Sequence, residues 1–161
     1  MKKLYLYLLC SMLTITLSAQ RNYLITNVND KPKVDGILDE AFWDSIPATD
    51  SFTTSLPSYG RVPQNATTVK IAYSKSGIYI GVECTATTIR NDGSKRDEIG
   101  TGDYFSIGLD TWNDDQNAFV FTANASGQRI DQRLSSNYDG TGFDTPWFVK
   151  THREVDRWTA E

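Results

Sequence analysis

The sequence contains few of the residues from which nucleophilic, metal and haem sites are usually built. Its 161 residues include one histidine, two cysteines and two methionines. With His152 alone, a histidine-based catalytic triad or a histidine metal cluster lacks a second imidazole. Met1 and Met12 both lie in the N-terminal apolar segment, so a chain cut after that segment keeps no methionine as an axial haem ligand. A triad hydrolase and a haem protein are therefore disfavoured.

The first nineteen residues have the order of a secretory signal peptide. Lys2 and Lys3 precede an apolar run over 4–17, and small residues then precede a cut before Gln20. The run is short for a bilayer span, which needs about 20 apolar residues. We therefore predict that this segment is removed and that the protein is exported to the periplasm, the cell surface or outer membrane, or the extracellular medium.

The chain left after cleavage is acidic and has one cysteine. The full sequence has 16 basic and 20 acidic residues, and loss of Lys2 and Lys3 leaves 14 basic residues and a net charge of −6. Such a surface disfavours nucleic acid and anionic lipid as partners. Cys84 has no second cysteine to pair with, because Cys10 leaves with the signal peptide. Its place in an alternating apolar segment indicates a buried, inert thiol.

Short alternating runs separated by turn residues predict β-strands. One hairpin is predicted over 69–84, around the turn Ser74-Lys75-Ser76-Gly77, and a second joins strands at 104–110 and 118–123 through the polar loop TWNDDQN. The N-terminal stretch 20–31, with its apolar patch at 23–25, is predicted as a lead-in strand or arm. A further strand is predicted at 128–134 and a pair of strands at 147–151 and 158–161, with loops at 50–64, 85–102 and 135–146. One helical turn over 40–44, capped by Asp39, interrupts the pattern. Seven or eight short strands predict an all-β antiparallel β-sandwich of immunoglobulin or jelly-roll type.

The last predicted strand has no turn and no partner strand after it. A half-strand at a sheet edge would leave ladder groups of its neighbour unpaired. The expected organisation is therefore a signal peptide at 1–19, a lead-in at 20–30 and a sandwich over 31–161 that is incomplete at its C-terminus.

Several segments, in order, resemble carbohydrate-binding module family 9 in its secreted bacterial form. They are PKVDGILDEAFW at 32–43, VKIAYSKSGIYIGVEC at 69–84, the stretch 103–128, FDTPW at 143–147 and WTAE at 158–161. The resemblance covers about residues 31–161. It implies a β-sandwich, related to the DOMON fold, that binds polysaccharide or a chain-end sugar beside glycan-degrading enzymes or ahead of a membrane barrel. It also implies two aromatic side chains around the sugar and a structural calcium ion.

A sugar site needs flat rings and a few polar groups, because a pyranose has apolar C–H faces edged by hydroxyls. Trp112 is the leading ring, because its polar loop offers little to bury it; the alternative is an indole folded back over the strand edge. Tyr104 either lines a groove or covers the sheet, and Trp147 either stacks on sugar or packs at a strand start. The polar candidates are Arg96, Gln116, Asn117 and Arg129. For Arg129, a surface ion pair with Asp131 is the alternative.

Acidic residues cluster in the same loop. Asp110, Asn113, Asp114 and Asp115 lie within six residues, and Asp139, Gly140 and Asp144 form a second group. Calcium takes six or more oxygen ligands from such loops, but no EF-hand spacing is present. A solvated acidic loop is the alternative to a structural calcium site.

These features predict a non-catalytic polysaccharide-binding module of a secreted bacterial protein, associated with carbohydrate catabolism and O-glycosyl hydrolases. The alternative is a structural N-terminal domain of an outer-membrane β-barrel protein that binds no sugar. A glycosidase needs two carboxylates about 5–10 Å apart, and no spacing singles out a pair among Glu98, Asp103 and Asp110. A catalytic or membrane-barrel domain downstream is an expected partner.

Overall fold

The computed structural model describes residues 22–29, 31–90, 100–136 and 142–161. The elements, in chain order, are β1 (Thr26–Asn27), α1 (Ala41–Ser45), β2 (Thr67–Ser74), β3 (Gly77–Thr85), β4 (Tyr104–Leu109), β5 (Ala118–Asn124), β6 (Arg129–Leu134), β7 (Thr151–Arg153) and β8 (Arg157–Ala160). In this part of the chain no helix is both long and apolar enough to cross a membrane.

The strands form two sheets, with the orders β1-β2-β3-β8-β7 and β4-β5-β6. All pairings are antiparallel except β1 with β2, which is parallel. The all-β sandwich prediction is confirmed, and so are both predicted hairpins. The alternation of polar and apolar residues in β4 is matched by alternating exposure along the strand, as expected of a strand with one covered face.

The lead-in contains a two-residue strand at 26–27. Two details of the sequence-based prediction are wrong. Asp39 does not cap α1, because the N-cap position is Glu40 and no side chain accepts a bond there. The strand predicted at 147–151 begins only at Thr151. The predicted pairing of the last two strands is confirmed, because β8 pairs with β7, and its other edge pairs with β3.

Two apolar clusters cover the two faces of the five-stranded sheet. The inter-sheet cluster contains Val69, Val82, Ala125, Trp158 and Ala160. Alternation in β2, β3 and β8 places these side chains toward the second sheet. The other face is covered by α1 and its flanking loops, in a cluster that contains Val28, Trp43, Ile46 and Ala72. The short helix is therefore stabilised by burial of its tryptophan rather than by its own length.

The side chain of Glu161, at the end of β8, connects that strand to α1 and to the loop before it through hydrogen bonds. Glu161 accepts hydrogen bonds from Trp43 Nε1 and from the Asp35 backbone N–H, both at 3.2 Å. Burial raises the pKa of Glu161 above its usual value, the nearby Glu40 carboxylate adds to the increase, and the two hydrogen bonds partly oppose it. Burial therefore disfavours the charged form of Glu161, and the two hydrogen bonds that its carboxylate accepts offset part of this cost.

This raised pKa predicts a pH-dependent contribution to stability. An acid whose folded-state pKa is raised contributes most stability below the unfolded-state value of about 4.5, and that contribution falls as the pH rises through the folded-state pKa. Glu161→Gln removes the titration, so the variant should gain stability relative to wild type as the pH rises from about 4.5 through the raised folded-state pKa. Urea unfolding of both proteins across this range measures the difference. A difference that stays constant, or that moves toward wild type as the pH rises, would contradict the prediction.

Cys84 lies in β3 and is partly buried. Burial raises the pKa of the Cys84 thiol to about 11, so the reactive thiolate is scarce near neutral pH. The predicted inert thiol is consistent with this environment.

Candidate functional site

The three-stranded sheet has two chemically different faces. Residues opposite one another in the register share a face, and Phe119 of β5 lies opposite Leu109 of β4 and Arg133 of β6. The same face carries Phe121 opposite Asp131. The β4–β6 sheet therefore presents aromatic and charged side chains on the face that also carries the apolar residues of β4.

Five rings form an aromatic strip along this face. They are Trp112, Phe119, Phe143, Phe121 and Trp147. The ring centroids of Trp112 and Phe119 lie 5.0 Å apart, and Phe143 stacks on Phe119 at 5.1 Å. Trp147 meets Phe121 edge-on at 5.3 Å. These separations are those of favourable aromatic pairs. The strip therefore consists of one packed group of three rings and one packed pair, and Trp112, in the first group, is 48% exposed.

Two arginines of β6 lie over the two tryptophans of the strip. The Arg133 guanidinium is 5.5 Å from the Trp112 ring centroid, and that of Arg129 is 5.7 Å from Trp147, within the range of cation–π attraction. Arg129 also donates a hydrogen bond to the Trp147 carbonyl. Between them, the buried Asp131 accepts from Trp147 Nε1 at 3.2 Å and from the Thr145 N–H at 2.8 Å. Trp147 is thereby held by intramolecular contacts.

The loop that carries Trp112 is shaped by its own carboxylates. Asp110 accepts backbone N–H bonds from Trp112, Asp114 and Asp115 at 2.9–3.1 Å. Asp114 accepts from the Gln116 N–H and from the Asn117 N–H and side-chain amide. These bonds, that from Gln116 foremost, lower the pKa of Asp114. The acidic residues therefore order the loop and hold the Trp112 backbone in place.

The same bonds bear on the calcium prediction. The carboxylates of Asp110 and Asp114 are turned toward N–H groups of their own loop, and Asp115 lies beside them in a left-handed conformation with φ of 54°. Among the residues that the structure describes, no three carboxylate, thiol or imidazole side chains come together as a metal site. The chemistry of this donor set does not fit a preformed calcium cage. Of the second acidic group, Asp139 and Gly140 lie outside the described residues.

A cleft of about 910 Å³ opens between the two sheets next to the strip. Ile78 and Ile80 line it from β3, Ile107 lines it from β4, and Phe121 and Trp147 belong to both the cleft and the strip. Ile78 is 55% exposed, so the apolar faces of the two sheets are not in full contact at this end of the sandwich.

The structure brings together some of the residues predicted from sequence and separates others. Trp112, Trp147 and Arg129 lie together on the aromatic strip. Gln116 and Asn117 lie on the Trp112 loop, and the Asn117 side-chain amide donates a hydrogen bond to Asp114. Tyr104 is 59% exposed but lies on the opposite face of the sheet. Arg96 lies outside the described residues. The ion pair considered for Arg129 and Asp131 does not form. Arg129 donates to the Trp147 backbone carbonyl, and Asp131 accepts from Trp147 Nε1.

Sequence reasoning missed three members of the site: Phe119, Phe143 and Arg133. The register pairs Phe119 with Arg133, so parity along β5 and β6 would have placed both on the ring-bearing face. Phe143 lies in a segment without strand periodicity, and the sequence carries no signal for its stacking on Phe119.

Comparison with known proteins identifies the fold. No protein-family model matches the chain, and no curated protein matches it. Two solved structures are similar: a carbohydrate binding module family 9 from Caldicellulosiruptor kristjanssonii in complex with glucose (TM-score 0.60, 88% of this chain covered) and in complex with cellotriose (TM-score 0.58, 86% covered), each at 16% identity. The chain has a CBM9-like fold. It spans 66% of the length of these neighbours. The CBM9-like fold confirms the architecture that the sequence resemblance implied.

Proposed function

We propose that this chain is a non-catalytic saccharide-binding domain in which a sugar ring stacks on Trp112. The observation that carries the proposal is the 48% exposure of an indole that packs against Phe119 of the strip. A large exposed ring costs hydration free energy, and a sugar C–H face is a fitting cover for it. The ordered loop fixes the ring before any ligand arrives, which reduces the entropy lost on binding.

Two further observations support a saccharide as the ligand. Polar residues accompany the exposed ring, because Arg133 of β6 lies over it and Gln116 belongs to the same loop, and both residue types can donate to sugar hydroxyls. The structural neighbours are family 9 modules in complex with glucose and cellotriose. We extend the proposal to export of the protein and to a role beside glycan-degrading enzymes, as the sequence predicts.

Replacing Trp112 with alanine is expected to weaken saccharide binding at least about ten-fold, because the stacking surface is lost. Calorimetry with glucose, cellotriose and soluble xylan fragments measures the effect. The matched control is Tyr104→Ala, which removes an exposed ring from the opposite face of the same sheet and should leave binding unchanged. Both variants should remain folded, because neither ring belongs to a buried cluster. Thermal melting of the two variants checks this.

Other outcomes would contradict the proposal. Equal binding by wild type and Trp112→Ala would remove the ring from the site, and release of reducing sugar would contradict a purely binding role.

The wide apolar cleft favours one other function, a structural domain that packs against further protein, such as the barrel protein considered from sequence. Folded wild-type protein that binds none of the saccharides would support that alternative.

A further inference from the structure

The two arginines of β6 differ in how their charge is used. Arg129 is tied to the Trp147 carbonyl as well as to the Trp147 ring. Arg133 lies over the more exposed ring, and among the described residues its guanidinium takes part in no ion pair or hydrogen bond. A guanidinium has five N–H donors in a planar fork. Within the described part of the chain, Arg133 therefore brings donors that have no partner, and a positive charge, to the edge of the proposed sugar platform.

The position of Arg133 affects neutral and acidic sugars differently. A neutral pyranose stacking on Trp112 competes with the guanidinium for part of the ring. A hexuronic acid residue places a carboxylate beside its ring oxygen, where it can accept two parallel N–H bonds from the fork while its C–H face covers the indole. Such charge-assisted bonds are about twice as strong as neutral ones. The contact therefore favours the acidic sugar.

We propose that Arg133 makes the Trp112 platform selective for saccharides that contain uronic acid residues over their neutral counterparts. This inference rests on the proposed saccharide-binding function of the same site. It names the class of substrate, and it assigns Arg133 as the residue that determines specificity.

Nearby carboxylates set the limits of this selectivity. Asp110 and Asp114 direct their oxygens to backbone N–H groups inside the loop, and the buried Asp131 binds Trp147 and Thr145. The chain as a whole is acidic, with a net charge of −4, so long-range attraction does not favour an anionic ligand. The preference must come from the direct contact with Arg133, and it should decrease only moderately with salt, because contact pairs are screened less than distant charges.

Calorimetry with a matched ligand pair tests the proposal. The probes are cellotriose and its C6-oxidised counterpart, cellotriuronate, titrated into the full chain at low and moderate salt. Wild type should bind cellotriuronate about ten-fold or more tightly than cellotriose. Arg133→Gln keeps a polar side chain but removes the charge and the fork, and it should abolish this preference, so that the variant binds cellotriose and cellotriuronate equally. Arg133→Lys keeps the charge but loses the fork, and should retain only part of the preference.

A second arginine variant controls for net charge. Arg153→Gln removes one positive charge from β7, away from the strip, and should leave the preference intact. Equal binding of the two ligands by wild type, or a preference that persists in Arg133→Gln, would overturn the selectivity while leaving saccharide binding in place. Failure of wild type to bind either ligand would overturn both the selectivity and the proposed function.

Discussion

Trp43→Ala is expected to lower the free energy of unfolding by about 3–5 kcal/mol, the range for removing a large aromatic side chain from a core. The Trp43 side chain is fully buried, and it belongs to the cluster that joins α1 to the outer face of the five-stranded sheet. Its removal leaves a cavity and takes away the indole N–H that Glu161 accepts. Equilibrium denaturation in urea measures the loss.

A second variant at the same position separates the two causes. Trp43→Phe keeps most of the ring but has no N–H, so it should lose roughly 1–3 kcal/mol, which reflects a smaller cavity and an unsatisfied buried acceptor. Trp43→Ala should be clearly less stable than Trp43→Phe. A Trp43→Ala protein within about 1 kcal/mol of wild type would show that the cluster around α1 contributes little to the fold.

Gly36→Ala is the second substitution with a large expected effect, about 3 kcal/mol of destabilisation. Gly36 has a φ of +88°, and a Cβ built there would lie 2.7 Å from the backbone carbonyl carbon of Thr151. The left-handed backbone costs a non-glycine residue about 1–2 kcal/mol, and displacement of β7 adds the cost of overpacking. The Gly36 carbonyl also accepts from Thr159 Oγ1 at 2.5 Å, so the shift would disturb β8 as well.

Gly60→Ala is the matched control for this substitution. Gly60 has a similar φ of +78°, but nothing lies within 4 Å of a Cβ built there. It should show the backbone cost alone, roughly 1–2 kcal/mol. The excess cost at Gly36, measured by urea denaturation, reports the close approach of Thr151. Equal losses at the two positions would mean that β7 moves aside without cost.

Local periodicity in the sequence predicted the elements well. The alternation of Phe105, Ile107 and Leu109 placed β4 and its covered face correctly, because period 2 follows directly from strand geometry. The turn at 74–77 did the same for the hairpin of β2 and β3. Both signals depend only on neighbouring residues, which is why a single sequence carries them.

Contacts between distant segments were not predictable in the same way. Trp43 and Glu161 are 118 residues apart, and no local pattern links a helical tryptophan to a carboxylate at the end of β8. The family resemblance included the segments VDGILDEAFW and WTAE, but it did not explain why these two distant segments share the pattern. The structure provides the reason, because Asp35, Gly36 and Trp43 all contact residues at or beside the end of β8.

In the site, too, local features were predictable from the sequence and contacts between distant segments were not. Exposure of Trp112 followed from its polar loop, whereas its pairing with Arg133 depends on the register between β5 and β6. Tyr104 lies on the face opposite Phe105, as the period of 2 along β4 requires. Whether that face or the strip face carries a ligand depends on where Trp112 and Phe143 fold, and strand parity does not determine loop positions.

The central position of β8 has a consequence for how the chain acquires its structure. β8 is the last strand of the described chain in sequence, but its partner β3 is some 75 residues earlier. The five-stranded sheet cannot close until residues 157–160 have been synthesised, because β8 joins β3 to β7. Until then, one edge of β3 and the Trp43 indole lack their native partners. Such non-local closure is slow, so the edge of β3 stays unpaired while the chain folds, and unpaired strand edges of this kind are prone to aggregation.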